Sequence, residues 1–184
     1  MGPVRLYLVR HGRPTATFSQ TLDAGLDPNG LAQAGAVAHR LAPLGPLAIL
    51  SSPLRRTRET AAPLERLWGR SALINAAIGE IPSPGVSVAG RGRWLDGVMA
   101  GRWADLPAAL HTWRGALLVA LLALSESTVI FTHYVAINVA VGHATGDDRV
   151  VVFSPDHCSV TVLEAGDRSL ELVALGAEAE TRVL

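Results

Sequence analysis

The chain has 184 residues, 49% of them hydrophobic, and its 16 basic and 16 acidic side chains leave a formal net charge of zero. That length supports one domain with a substantial core, and the charge balance speaks against a disordered chain or a nucleic-acid-binding tail. The single cysteine, Cys158, excludes an intrachain disulfide and a cysteine-based zinc cluster. All 16 basic residues are arginine, which biased codon usage explains most simply, although arginine is also the better fork-shaped partner for phosphate and carboxylate. A cytoplasmic location is expected. Met1-Gly2-Pro3-Val4 runs straight into a strand, so no secretory leader is expected. The longest apolar run, 115–124, is too short to cross a bilayer and is bounded by Arg114 and Glu126, so it predicts a buried helix and no membrane association.

In chain order, Leu6-Tyr7-Leu8-Val9 reads as a strand that stops abruptly at Arg10-His11-Gly12. Such strand-to-loop junctions carry active sites in α/β folds. Asp27-Pro28-Asn29-Gly30 is a turn signal before a helix over 31–41, which Pro43 and Pro46 end. A buried strand is expected over 47–50. Ser52 suits an N-cap and Pro53 a first helical position, so a helix is expected from there. Three arginines in its first turns (Arg55, Arg56, Arg58) oppose the positive end of the helix dipole, a conflict that a bound anion would remove.

A short strand is expected over 72–74, and Glu80 stands among apolar neighbours in Ile78-Gly79-Glu80-Ile81-Pro82. Residues 83–103 hold five glycines, three arginines and two tryptophans with little periodicity, which predicts a loop insertion that shapes the substrate site. A helix is expected over 105–124 with Asp105 as its cap, a strand over 128–132 running into His133, and an apolar helix over 134–143. Further strands are expected over 150–153, 159–163 and 170–175, with Gly166-Asp167 turning between the last two. Strands alternating with helices, then a terminal hairpin, predict one α/β domain over 1–184 with a mostly parallel mixed sheet.

His11 and His133 each follow an apolar strand directly. With Arg10, Arg56 and Glu80 they make a set suited to phosphoryl transfer. A neutral imidazole can attack phosphorus without a separate base. Cations can hold the equatorial oxygens, and a carboxyl group in apolar surroundings can keep the proton that a leaving oxygen needs.

The residues that carry this set resemble the histidine phosphatase superfamily, the phosphoglycerate mutase-like proteins. Leu8-Val9-Arg10-His11-Gly12 is similar to its signature. Gly30, Gln33 and Ala34 resemble its Leu-x-Pro-x-Gly-x-x-Gln-Ala helix entry. Residues 51–61 resemble its Ser-x-Leu-x-Arg-Ala-x-x-Thr-Ala segment, and Glu80-Ile81 and Thr132-His133 its acid and second histidine. The resemblance spans residues 5 to about 163.

It implies a three-layer α/β/α sandwich and a phosphatase that hydrolyses a small phosphomonoester through a phosphohistidine at His11. Arg10, Arg56 and His133 would bind the phosphoryl group at the Gly12 turn, and Glu80 would be general acid and then base. Neither metal nor cofactor is implied. The alternatives are a phosphoglycerate mutase-like phosphotransferase and a non-catalytic phosphate-ester-binding regulatory module.

The chain departs from the family at Arg13, where Glu or Gln is usual, at Thr17, where an asparagine is frequent, and at Tyr134, where glycine is frequent. These three, with His157, Arg91 and Arg93, are the expected substrate-binding residues, and Arg102 is a further candidate for substrate charge. Cys158 is expected to be inert, and His39 and His111 to be surface residues. His143, Asp147 and Asp148 match no metal-ligand spacing. The residues leave the substrate and the oligomeric state open.

Overall fold

The computed structural model describes residues 4–17 and 20–179. Six strands, β1 (Val4–Arg10), β2 (Ala48–Ser51), β3 (Leu73–Ile74), β4 (Thr128–Thr132), β5 (Val160–Ala165) and β6 (Leu170–Ala174), form one sheet in the order β3-β2-β4-β1-β5-β6. The pairs β1/β4, β2/β4 and β2/β3 are parallel, and β1/β5 and β5/β6 antiparallel. Among the described residues the α-helices are α1 (Pro28–Leu41), α2 (Arg55–Trp68), α3 (Arg91–Met99), α4 (Ala108–Leu122) and α5 (Tyr134–Thr145).

Alternation along the strands divides the core into two layers of contact. Val9, Ile49, Val129 and Phe131 pack with Val37, Ala38 and Leu41 of α1 and Ala61 and Leu64 of α2. Leu6, Leu8, Leu50 and Ile130 face the other way, against α4, α5 and Val98 of α3. The result is the expected three-layer α/β/α sandwich around a mixed sheet. All five residues of β4 are buried, as a β-branched central strand covered on both faces should be. Among the described residues no helix is long and apolar enough to cross a membrane.

Several local expectations are corrected. Helix α1 starts at Pro28 because Asp27 caps it, its carboxylate accepting from the Gly30 amide at 2.7 Å; the expected turn is a helix entry. Helix α2 starts at Arg55, and Ser52 is not its cap, for its hydroxyl lies 2.8 Å from His133. Helix α4 starts at Ala108, and Asp105 belongs to a preceding 3-10 turn, Trp103–Asp105. Residues 83–103, expected to be a loop, contain the 3-10 turn Val88–Gly90 and the whole of α3. Trp94, Leu95 and Met99 of that helix pack on the core, which fixes a segment whose own periodicity is weak.

Residues 150–153 form no strand. Their amides are instead taken by a side chain: Asn138 of α5, fully buried, accepts from Val152 at 2.7 Å and Phe153 at 3.1 Å and donates to the Tyr134 carbonyl at 3.0 Å. Asn138 thus does the work of a neighbouring strand and fixes the chain just before the segment 154–157. Asn138→Leu leaves two amides without acceptors, at a cost of about 2–4 kcal/mol. Chemical denaturation should show that loss; a change under 1 kcal/mol would mean that water or relaxation replaces the bonds.

Candidate active site

The sheet brings the two histidines together. Parallel pairing sets Arg10 against Thr132, and the His11 amide continues it by donating to the Thr132 carbonyl at 3.1 Å. His11 and His133 therefore leave adjacent strands at the same end, their ring centroids 5.3 Å apart. On the far side of β4, the Ser52 amide donates to the Phe131 carbonyl at 3.0 Å, so α2 begins beside the histidines. Arg56 in its first turn is consequently buried in the site, whereas Arg55 pairs with Glu59 at 2.6 Å and Arg58 is exposed. The Thr132 hydroxyl donates to the Ile78 carbonyl at 2.6 Å, which anchors the segment that carries Glu80.

His11 is held in one tautomer. Its Nδ1 lies 2.9 Å from the Gly12 carbonyl oxygen, which can only accept, so Nδ1 carries the proton and Nε2 keeps its lone pair. Burial, and then His133, Arg56 and Arg10, push its pKa well below the ordinary value; the Gly12 bond is a smaller opposing effect. Gly12 is required by close approach, since a Cβ there would stand 2.7 Å from the Gly30 carbonyl oxygen. Its amide donates to Thr60 Oγ1 at 3.0 Å.

Glu80 lies between Arg56, at 3.2 Å, and His133 Nδ1, at 3.4 Å. Burial alone would raise its pKa, but His133, Arg56 and the Ile81 amide outweigh burial and hold it below the usual carboxylate range. The apolar setting expected to keep Glu80 protonated is therefore overridden, first by His133 and then by the Arg56 guanidinium. His133 is fully buried, and burial lowers its pKa against the opposing pull of Glu80. The Ser52 hydroxyl can donate to its Nε2 at 2.8 Å while accepting the longer Leu54 amide bond at 3.4 Å, which leaves the ring proton on Nδ1. That atom has no hydrogen-bond partner, the 3.4 Å approach to Glu80 being poorly aligned.

The Arg10 Nε is orphaned in the same way, although its Nη1 donates to the Pro155 carbonyl at 2.9 Å and its guanidinium lies 5.1 Å from the Tyr134 ring centroid. Burial lowers the pKa of Arg10 to about 10, so it remains a cation at neutral pH. Tyr134 donates to Ser154 at 3.1 Å and supports Arg10 as well as lining the cavity.

One cavity of about 490 Å³ is lined by Arg10, His11, Arg56 and Glu80 and by the expected residues Arg13, Thr17, Tyr134 and His157. His133 is behind it, against His11 and Glu80. Arg91 and Arg93, expected to bind substrate, are not among its lining residues, whereas Gly92, Leu95 and Met99 of the same helix are. Arg102 instead stands 3.7 Å from Asp148.

The His157 ring centroid is 5.7 Å from that of His11, presented by Cys158, whose φ of 56° is left-handed and so strained for a non-glycine residue. Burial, then Arg10, lower the His157 pKa to about 4. Cys158 is buried, and burial raises its thiol to about 12, the inert state expected. Sequence reasoning missed Thr60, Thr132 and the Pro155 carbonyl. Thr60 alone had a signal: it stands one helical turn after Arg56 and accepts from Gly12 while donating to the Arg56 carbonyl at 2.6 Å.

His11, Glu80 and His133 also place donor atoms within 4.8 Å of one another, the spacing of a metal site. Arg10 and Arg56 beside them oppose a divalent cation and favour an anion.

Histidines whose pKa falls on folding bind more protons unfolded, so stability is lost as pH drops below about 6.5. For His157, partly exposed, the loss from pH 7 to pH 5 is about 1 kcal/mol after allowance for solvent screening. The melting temperature of His157→Asn should therefore fall less steeply than wild type over that interval; parallel curves would place the ring in water.

Comparison with known proteins finds a matching sequence family and similar folds. Residues 6–83 match the sequence family described as the histidine phosphatase superfamily (branch 1), a span that holds Arg10, His11, Arg56 and Glu80 and ends before His133. PE-PGRS family protein PE_PGRS11 of Mycobacterium tuberculosis is 39% identical over 79 residues, but these make up 40% of this chain and 14% of that protein. Similar solved structures include a phosphoserine phosphatase of Entamoeba histolytica, a histidine-to-alanine mutant in complex with phosphoserine (TM-score 0.75, 19% identity, 95% of this chain and 97% of that one). A mycobacterial glucosyl-3-phosphoglycerate phosphatase has a TM-score of 0.72 at 19% identity, with 96% and 100% covered. A putative alpha-ribazole-5'-P phosphatase of Escherichia coli has a TM-score of 0.77 at 15% identity, with 99% and 100% covered. Residues 6–83 thus match the histidine phosphatase superfamily (branch 1), and over nearly its whole length the chain shares the fold of these solved structures.

Proposed function

We propose that the protein is a phosphomonoesterase that works through a phosphohistidine at His11. The observation that carries this reading is the pair of buried donors without a hydrogen-bond partner, Arg10 Nε and His133 Nδ1, in the residues next to a histidine whose Nδ1 is bonded to the Gly12 carbonyl and whose Nε2 keeps its lone pair. A buried donor without a partner costs about 1–3 kcal/mol, a cost that the oxygens of a bound phosphoryl group would remove. Arg10 and Arg56 bind those oxygens from the cavity wall, and His133 donates from behind.

The chemistry then runs in two steps. His11 Nε2 forms a bond to phosphorus as the phosphorus–oxygen ester bond breaks, and the Gly12 carbonyl stabilises the charge that develops on Nδ1–H. Glu80 gives its proton to the leaving oxygen. Water next attacks phosphorus, Glu80 takes its proton, and the phosphorus–nitrogen bond breaks to release phosphate and neutral His11. Glu80 must gain that proton against His133 and Arg56, which lower its pKa. A phosphate dianion supplies the condition for gaining one, because it draws Arg56 away and sets negative charge beside the carboxylate, and both effects raise its pKa. His157, held neutral, offers a further hydrogen bond to the substrate.

With p-nitrophenyl phosphate, His11→Ala should lower kcat at least about a thousandfold, and labelled phosphate should be trapped, acid-labile, on the wild-type histidine only. Equal rates for the two proteins would remove His11 as nucleophile, and steady transfer between two positions of one substrate would mark a mutase. Glu80→Gln should slow alkyl phosphates by about 10²–10⁴-fold and p-nitrophenyl phosphate much less, because only the poor leaving group needs the proton. Equal slowing of both would put Glu80 in a binding role.

A further inference from the structure

We propose that the cavity beyond the phosphoryl subsite selects esters of neutral alcohols with an apolar face, and turns away leaving groups that carry a carboxylate. The proposal rests on the phosphatase reading and names the substrate class of the same site. A carboxylate on the leaving group would need a cation of its own. Among the described lining residues the arginines are Arg10, Arg56 and Arg13, and the first two belong to the phosphoryl group. Arg13 is already paired: its Nε donates to Asp27 at 2.5 Å. Asp27 cannot swing away cheaply, since its other oxygen caps α1 through the Gly30 amide.

The same wall carries a negative charge. Asp156 lines the cavity beside His157, and the His157 amide, at 2.7 Å, is a hydrogen bond to its Oδ1 and not a counter-ion. An incoming carboxylate would meet it as a like charge, whereas hydroxyl groups could donate to it.

Helix α3 contributes the third part of the argument. Gly92, Leu95 and Met99, three and four residues apart, lie on one face and line the cavity. They offer apolar surface and no polar side chain, while the arginines on either side of Gly92 do not line it. Thr15, Gln20 and Thr21 of the loop after Arg13 add uncharged hydrogen-bonding groups. Apolar area with a few neutral polar groups suits a nucleoside or an aryl alcohol better than a hydroxy acid. At about 490 Å³ the cavity has room for such a group beside the phosphate.

The test compares initial rates of the purified protein on p-nitrophenyl phosphate, 1-naphthyl phosphate, uridine 5′-monophosphate, O-phosphoserine and 3-phosphoglycerate. The aryl and nucleoside esters should exceed both carboxylate esters at least about tenfold in kcat/KM, the discrimination expected from one unpaired charge in the cavity. Met99→Lys should shift the ratio of 3-phosphoglycerate to 1-naphthyl phosphate at least about tenfold toward the acid, and Asp156→Asn should shift it the same way by about threefold or more. If p-nitrophenyl phosphate is hydrolysed in a His11-dependent way and a carboxylate ester is nevertheless the best substrate, the selectivity is overturned and the phosphatase reading stands. If neither variant moves the ratio, the selectivity is overturned as well. If no ester is cleaved, the phosphatase reading falls and takes this inference with it.

Discussion

The parallel pairing of β1 with β4 is the constraint on which the rest of the site depends. It places residues 11 and 133, which are far apart in the chain, side by side at the end of the sheet, and the backbone bond from His11 to Thr132 extends the ladder into the site itself. Pairing β4 also with β2 brings the start of α2, and with it Arg56, to the same end. A one-residue slip in either register would turn the core-facing side chains of β1 or β4 to the opposite face. The hydrophobic alternation that builds the two core layers therefore also sets the position of the histidines.

Around that frame the polar groups are joined in a chain of single bonds. Thr132 fixes the approach of Glu80, Ser52 fixes His133, and Thr60 ties the Gly12 turn to α2. Each of these hydroxyls satisfies a buried polar group that would otherwise be costly to leave unpaired. Among the described residues, two of the buried donors that lack a hydrogen-bond partner, Arg10 Nε and His133 Nδ1, belong to residues of this site. Burial first, then His133, Arg56 and Arg10, lower the pKa of His11, while His133, Arg56 and the Ile81 amide lower that of Glu80 against its burial.

The strands and helices that carry strong periodicity were legible in the chain: β1, β4 and α5 lie where their apolar runs put them, within a residue or two. The departures have specific causes. Residues 150–153 have the composition of a strand but find their hydrogen bonds at Asn138, a partner on another element. Helix α3 is short, glycine-bearing and weakly patterned, and its tertiary contacts supply what its propensity does not. Ser52 has the chemistry of an N-cap and is used instead by His133, since one hydroxyl cannot serve both geometries well.

The sequence alone determined the residue types of the site and their order, because strand-to-loop junctions and the motif around Arg10-His11-Gly12 are local features. It also determined the fold class, through the alternation of strand and helix patterns. Only the tertiary structure decided the surroundings that lower the pKa of Glu80 against its burial, which are His133 and then a guanidinium 24 residues away in the chain. It alone decided that α3 meets the cavity through Leu95 and Met99 and not through Arg91 and Arg93. Protonation and facing are set by distance in space, and spacing along the chain does not encode that distance until the strands have paired.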